Sequence, residues 1–216
     1  MTIKVLLADD HQIIRDGLRS LLTNEPDIEV VGEANDGRAA VEMTQRLKPD
    51  IVVMDITMPG LNGIEATRQV RAISSDIKVL ALSMHADKRF VAGVLHAGAS
   101  GYVLKNCAFR ELIQAIHTVA VNQTYLSPTI ADIVVESYVR HSPLPASSLS
   151  VLTPREREVL QLIAEGLTLK KIAATLCVSP KTIETHREQI MRKLNASSVA
   201  ELTKYAVREG LTSLED

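Results

Sequence analysis

The sequence predicts a parallel, doubly wound α/β domain of five strands over residues 1–125, followed by an all-helical domain over 151–216. Three observations predict it. Short, almost continuously apolar runs alternate with helix-period segments along the first half. Strands this apolar need helices on both faces of their sheet. Beyond residue 150 the strand signals stop, while helix caps continue.

The strand candidates are Ile3–Asp9, Glu29–Ala34, Ile51–Asp55, Val79–Ser83 and Gly101–Leu104. Between them, apolar residues recur at helical spacing: Ile13/Ile14/Leu18/Leu21/Leu22, Ala40/Val41/Met43/Leu47, Ile64/Val70/Ile73, Phe90/Val91/Val94/Leu95 and Leu112/Ile113/Ile116/Val119. Residues 126–150 read as a connection, with one apolar helical stretch from Ile130 to Val139 and then a Pro/Ser-rich linker around His141–Ser148.

In the second domain, Thr153-Pro154-Arg155-Glu156 is a capping box with proline at the first helical position. Val159, Leu160, Leu162 and Ile163 give that helix a core face, and Gly166 ends it. Thr168 caps a short helix over Leu169–Leu176. After the turn Cys177-Val178-Ser179, Ser179 caps a third helix that starts at Pro180. A fourth runs from Val199 to Glu209.

Of the 216 residues 46% are hydrophobic and 23% charged, so the chain can build cores and is not disordered. Net charge is −2; residues 150–216 hold 10 Lys/Arg against 9 Asp/Glu, a small tilt towards the basic side. Cys107 and Cys177 stand apart, which predicts two buried reduced thiols rather than a disulfide or zinc site. The chain enters an apolar strand at Ile3 without a leader pattern, and no run approaches the ~20 apolar residues of a membrane span. A soluble, cytoplasmic protein with no membrane partner is expected.

Sites in doubly wound folds lie beyond the carboxyl ends of the strands. Here those ends carry Asp9 and Asp10, Asp55, Ser83 and Lys105. A lone strand-end aspartate is more often a turn former or helix cap, but five suitable residues at one sheet edge favour a chemical site. Clustered carboxylates raise one another's pKa unless a cation neutralises them, and oxygen ligands suit Mg²⁺. A carboxylate beside Mg²⁺ can attack a phosphoryl group and form an acyl phosphate, with Lys105 and Ser83 neutralising and positioning it. His11 fits a hydrogen-bonding role better than a Mg²⁺ ligand.

Residues 1–122 resemble the receiver domain of bacterial two-component systems through Leu7-Ala8-Asp9-Asp10-His11, Met54-Asp55-Ile56-Thr57-Met58-Pro59-Gly60-Leu61-Asn62-Gly63, Leu82-Ser83-Met84-His85 and Gly101-Tyr102-Val103-Leu104-Lys105. The resemblance implies a flavodoxin-like fold, with Asp55 as phosphoacceptor for a cognate histidine kinase and Mg²⁺ held by Asp9, Asp10, Asp55 and the Thr57 carbonyl. It also implies that Ser83 and Tyr102 change rotamer on phosphorylation, and that Thr57 and His85 tune dephosphorylation.

Two short helices separated by about three residues form a helix-turn-helix, whose second helix enters the DNA major groove. That helix carries Lys181, Thr182, Glu184, Thr185, His186, Arg187, Glu188, Arg192 and Lys193, with Lys181, Arg187 and Lys193 available for phosphates. A solvated, mixed-charge helix has the same composition; its place after a capped helix and a tight turn favours the DNA reading.

Residues 152–212 resemble the LuxR-type effector domain of NarL/FixJ response regulators through Leu152-Thr153-Pro154-Arg155-Glu156-Arg157-Glu158-Val159-Leu160, Lys171-Ile172-Ala173, Val178-Ser179-Pro180-Lys181-Thr182-Ile183-Glu184-Thr185-His186 and Met191-Arg192-Lys193-Leu194. Lys171 stands where the family usually has Glu. The resemblance implies a homodimer when active, formed through the fourth helix (Val199, Leu202, Thr203, Ala206), with RNA polymerase as a further partner. The expected protein is a regulator, not an enzyme beyond its own phosphorylation and dephosphorylation. The alternative is a helix-turn-helix transcription regulator that is phosphorylation-independent or senses a metabolite.

Overall fold

The structure, a computed structural model, describes residues 2–106, 109–139 and 151–212. The chain divides into two compact units, Met1–Pro145 and Ala146–Asp216.

In the first unit, β1 (Ile3–Ala8), β2 (Ile28–Ala34), β3 (Ile51–Asp55), β4 (Lys78–Ser83) and β5 (Gly101–Leu104) alternate with α1 (Gln12–Leu22), α2 (Gly37–Leu47), α3 (Gly63–Ile73), α4 (Lys88–His96) and α5 (Phe109–Ala120). The sheet is parallel throughout, in the order β2-β1-β3-β4-β5, with one further strand beyond β5. Alternate side chains go to opposite faces. Val5, Leu7, Ile51, Val53, Leu80, Leu82 and Val103 pack with Leu22, Leu112, Ile116 and Val119 of α1 and α5. Leu6, Ala8, Val52, Met54 and Val79 pack on the other face with Ala40, Ala66 and Val70 of α2 and α3. Each fully buried aliphatic side chain contributes about 1.5–3 kcal/mol.

Two features depart from the expected fold. A sixth strand, β6 (Tyr125–Leu126), pairs with β5. Two residues are too short to show strand periodicity. The pairing needs Gly101, where a Cβ would lie 2.8 Å from the Tyr125 carbonyl oxygen. The stretch expected to be a linker helix, α6 (Pro128–Val139), belongs to the first unit: Ile130 is fully buried among Tyr102, Val91 and Val94. The Pro/Ser-rich linker at 141–148 lies outside the described residues, as does Cys107.

The second unit contains α7 (Pro154–Ala164), α8 (Leu169–Thr175), α9 (Pro180–Leu194) and α10 (Val199–Arg208), close to the expected spans. One core unites Leu160, Leu162, Ile172, Ala173, Ile183, Ile190, Leu202 and Ala206. The capping box of α7 forms as expected: Glu156 N–H donates to Thr153 Oγ1 at 3.2 Å, and Thr153 N–H donates to Glu156 Oε2 at 2.7 Å. Cys177 is not the buried thiol the sequence predicts. It is exposed and free, at φ +52° in the turn between α8 and α9, where chain direction rather than apolarity sets its place. Among the described residues, no helix is long and apolar enough to cross a membrane.

Candidate functional site

β1 lies between β2 and β3, so the connection after β1 and the connection after β3 turn to opposite sides of the sheet and a crevice opens at the carboxyl ends of β1 and β3. Asp9 and Asp55 end up there with Lys105, whose Nζ lies 2.7 Å from both Asp9 Oδ2 and Asp55 Oδ2. All three side chains are at most 5% exposed. Gly63 permits this closeness: a Cβ there would overlap the Asp55 carbonyl oxygen, so only glycine lets the start of α3 sit under β3.

Charge does not balance by itself in this pocket. Burial pushes the Asp55 carboxyl up to about 6, against the pull of Lys105, and the neighbouring Asp9 charge adds to the rise. Burial works against the Lys105 ammonium too, but attraction to Asp55 and Asp9 prevails and raises its pKa. Asp10 sits at the rim with His11, whose Nδ1 is 2.9 Å from Asp10 Oδ1. Ligand atoms of Asp9, Asp10, His11 and Asp55 lie within 4.8 Å of one another. Asp9 Oδ2 and Asp10 Oδ1 are buried, the first against the Lys105 ammonium and the second against the His11 ring. A cluster of three carboxylates around one lysine, with surplus negative charge, has the donor chemistry of a divalent-cation site.

Around this cluster, Asp55 Oδ1 accepts the Thr57 N–H at 3.3 Å, and Ser83 Oγ accepts the His85 N–H at 3.1 Å. Tyr102 is wholly buried and points inward, its hydroxyl donating to the His85 carbonyl at 2.6 Å. Burial, opposed by a hydrogen bond with Ser83, raises the phenol to about 12, so it stays neutral. The His85 ring stacks on Phe90 at 4.8 Å.

In the second unit, Lys181, Thr182, Glu184, Thr185, Glu188 and Arg192 are exposed along α9, while Ile183 and Ile190 turn into the core. His186 and Arg187 are half-buried, and Arg187 Nε is buried without a hydrogen-bond partner. Ser179 accepts the Thr182 N–H at 3.1 Å and closes the first turn of α9.

A receiver-domain family model (response regulator receiver domain) matches residues 5–117, and a second model (bacterial regulatory proteins, luxR family) matches residues 150–206. The oxygen regulatory protein NreC of Staphylococcus carnosus is 39% identical over 96% of this chain and 98% of its own length. The transcriptional regulatory protein DegU of Brevibacillus brevis is 36% identical over 96% of this chain and 94% of its own. The chain belongs to the NarL/FixJ class of response regulators. Among solved structures, the response regulator RcsB bound to DNA superposes with a TM-score of 0.61, at 26% identity over 97% of this chain and 99% of that one. This response regulator therefore couples a receiver domain to a LuxR-type DNA-binding domain.

Within the regulator, the acidic residues foreseen from the sequence converge, but some second-domain assignments change. Lys193, expected to contact phosphates, instead places its Nζ 2.6 Å from Glu156 Oε2. Glu156 is buried in the α7 capping box, so the ammonium serves as its counter-ion. Leu202 and Ala206, expected at a dimer surface, are fully buried in the core. Both lie on the α10 face turned towards α7, which leaves Val199 (47% exposed) and the half-buried Thr203 on the accessible surface. Sequence reasoning also missed Arg155, which donates to Glu158 at 2.6 Å and to the Leu176 carbonyl at 2.8 Å, tying α7 to the end of α8. The buried glutamates in the first turns of α7 were a signal for such partners.

Proposed function

We propose that Asp55 is the phosphoacceptor of this response regulator and that phosphorylation controls binding of the C-terminal domain to double-stranded DNA. The observation that carries this reading is the buried Asp9–Lys105–Asp55 triad, with Lys105 Nζ 2.7 Å from each carboxylate. An Asp55 carboxylate oxygen attacks phosphorus, the new P–O bond forms as the bond to the donor breaks, and a histidine donor leaves as imidazole. Lys105 and the Ser83 hydroxyl meet the transferred phosphoryl oxygens and offset their charge. Asp9, Asp10, Asp55 and the Thr57 carbonyl would hold Mg²⁺, which would supply charge neutralisation; the closeness of the three carboxylates, with ligand atoms within 4.8 Å of one another, supports that assignment.

The donor is a histidine kinase or a small phosphodonor, and the chemistry the chain performs is its own phosphorylation and dephosphorylation. Thr57 and His85 flank the acceptor and set how long the phosphoryl group lasts. Tyr102 and Ser83 change contacts when phosphoryl oxygens claim the Ser83 hydroxyl, a population shift between two receiver states. In the DNA-binding domain, Lys181, Arg187 and Arg192 contact phosphates, while Thr182, Glu184, Thr185, His186 and Glu188 face the groove. Two copies pair through Val199 and Thr203, act in the cytoplasm and engage RNA polymerase.

Incubation with acetyl phosphate and Mg²⁺, followed by intact-mass measurement and DNA binding, tests this. A phosphoryl adduct lost in Asp55→Asn, together with tighter DNA binding by the modified protein, is expected. An adduct that survives Asp55→Asn overturns the assignment.

A further inference from the structure

We infer that Arg15, held in place by Glu33, is a positioning residue that sets the Asp9-Asp10 turn for a divalent cation. This rests on the reading of Asp9, Asp10 and Asp55 as a Mg²⁺ site.

Strand pairing decides which side chain meets Arg15. β1 and β2 run in step from Ile3 against Ile28 to Val5 against Val30, but Leu6 then pairs with Gly32, so Val31 is skipped. A slip of one residue exchanges the faces of every later side chain. The Cβ direction of Gly32 consequently points at Met43 and Leu47 of α2. Glu33, paired with Leu7, shares the face on which Leu7 packs with Leu22 of α1. Without the skip, Glu33 would face α2.

On that face α1 supplies two cations. Arg19 Nη1 lies 2.6 Å from Glu33 Oε1, and Arg15 Nε lies 3.9 Å from Glu33 Oε2. The Arg15 side chain is 14% exposed, and its Nη1 donates to the Asp9 carbonyl at 2.6 Å. That carbonyl lies one residue past the end of β1, and the Asp9 N–H donates to the Ala34 carbonyl at 3.1 Å. Both backbone groups of Asp9 are therefore fixed.

The Asp9 carbonyl and the Asp10 N–H belong to one planar peptide. Fixing the carbonyl fixes the direction in which the chain enters Asp10. The Asp9 carboxylate is set separately, by the His11 N–H at 2.9 Å and by Lys105. Arg15 thus acts on the site through the backbone. Glu33 is needed for charge as well as for aim. A guanidinium without a counter-charge beside the site repels a divalent cation, whereas one opposed by Glu33 keeps its hydrogen bond while much of its field is cancelled.

Isothermal titration calorimetry of the full chain with magnesium chloride tests the inference. The parent should show a binding heat that Asp10→Asn abolishes, which locates it at this site. Arg15→Met should weaken Mg²⁺ binding about tenfold and Glu33→Gln about threefold, with Arg15→Lys closer to the parent because it keeps a donor and the charge. The Arg15→Met/Glu33→Gln double variant should match Arg15→Met alone, since Glu33 acts through Arg15. An Arg15→Met chain that loses stability in urea but binds Mg²⁺ with parental affinity overturns the inference and leaves the metal site standing. So does a double variant weakened by the product of the two single losses, about thirtyfold. Where Arg15→Met does not fold, Glu33→Gln decides alone, and parental affinity in that folded chain overturns the inference. A parent with no Mg²⁺ heat that depends on Asp10 overturns the inference together with the reading of the site.

Discussion

Replacing Lys193 by methionine separates two roles for a cation on the recognition helix. Lys193 Nζ sits 2.6 Å from Glu156 Oε2, and the Glu156 side chain is 3% exposed. Burial alone would raise that carboxyl, but hydrogen bonds from Lys193 and from Thr153 overcome it and hold its pKa below the usual value. Removing one member of a buried pair strands the other, at about 3–5 kcal/mol for full burial. Lys193 is 36% exposed and Glu156 keeps the Thr153 N–H, so screening and the surviving bond cut the cost to about 2 kcal/mol. Because the folded-state pKa of Glu156 is depressed, this stability is present above its ordinary value of 4.5 and is lost as pH falls through the lower folded value. Urea denaturation of Lys193→Met should therefore show the deficit at neutral pH and little of it in acid, with Glu156→Gln/Lys193→Met recovering most of the loss. DNA affinity measured against salt should keep the parental slope. A slope reduced by about one, with stability within about 0.5 kcal/mol of the parent, would show that Lys193 is a phosphate contact and that the ion pair is incidental.

Arg187→Ala should behave in the opposite way, weakening binding on every DNA sequence and lowering the salt slope by about one, measured by anisotropy titration; a changed base preference instead would place it among the groove readers. In EDTA, the Asp55 carboxyl raised to about 6 means the folded state holds that proton more tightly than the unfolded chain does. That contribution is full below pH 3.8 and is lost as pH rises through about 6. Asp55→Asn should then exceed the parent by about 3 kcal/mol at neutral pH and converge with it in acid, and a pH-independent difference in urea titrations would refute burial of the carboxylate as the cause. Gly63→Ala forces a Cβ into the Asp55 carbonyl, and thermal unfolding should show a loss of about 1–3 kcal/mol, with slower phosphorylation by acetyl phosphate; parental behaviour in both would mean that α3 yields freely.

The parts of this molecule legible in the sequence are those governed by neighbours along the chain or by topology. Strand apolarity marked β1 to β5 within a residue or so, and Thr153, Thr168 and Ser179 marked three helix starts that form with their cap bonds. The acidic cluster was legible for a topological reason: parallel strands send all their carboxyl ends to one edge, which brings Asp9, Asp55 and Lys105 together. Local signals failed where the segment was short or its environment distant. Two residues cannot display period two, so β6 was invisible. Ile130 looked like any apolar residue of an amphipathic connector until Tyr102 and Val91 were seen to enclose it.

The DNA-binding domain shows why helix composition under-determines function. Lys181, Arg187, Arg192 and Lys193 are alike in sequence, yet a cation's availability depends on the nearest unsatisfied acid. Glu156, 37 residues from Lys193, is buried by the same capping box that starts α7, and a buried carboxylate requires a counter-charge. α9 crosses α7 where Ile190 enters the core, one turn before Lys193, and so brings that lysine to Glu156. The apolar seam thus decides which cation is consumed internally. The same reasoning removes Leu202 and Ala206 from the dimer surface, since the face of α10 that binds α7 cannot also bind a second copy. What remains for DNA and for a partner subunit is the set of side chains the core leaves free, and counting those, rather than counting charges, predicts the interface.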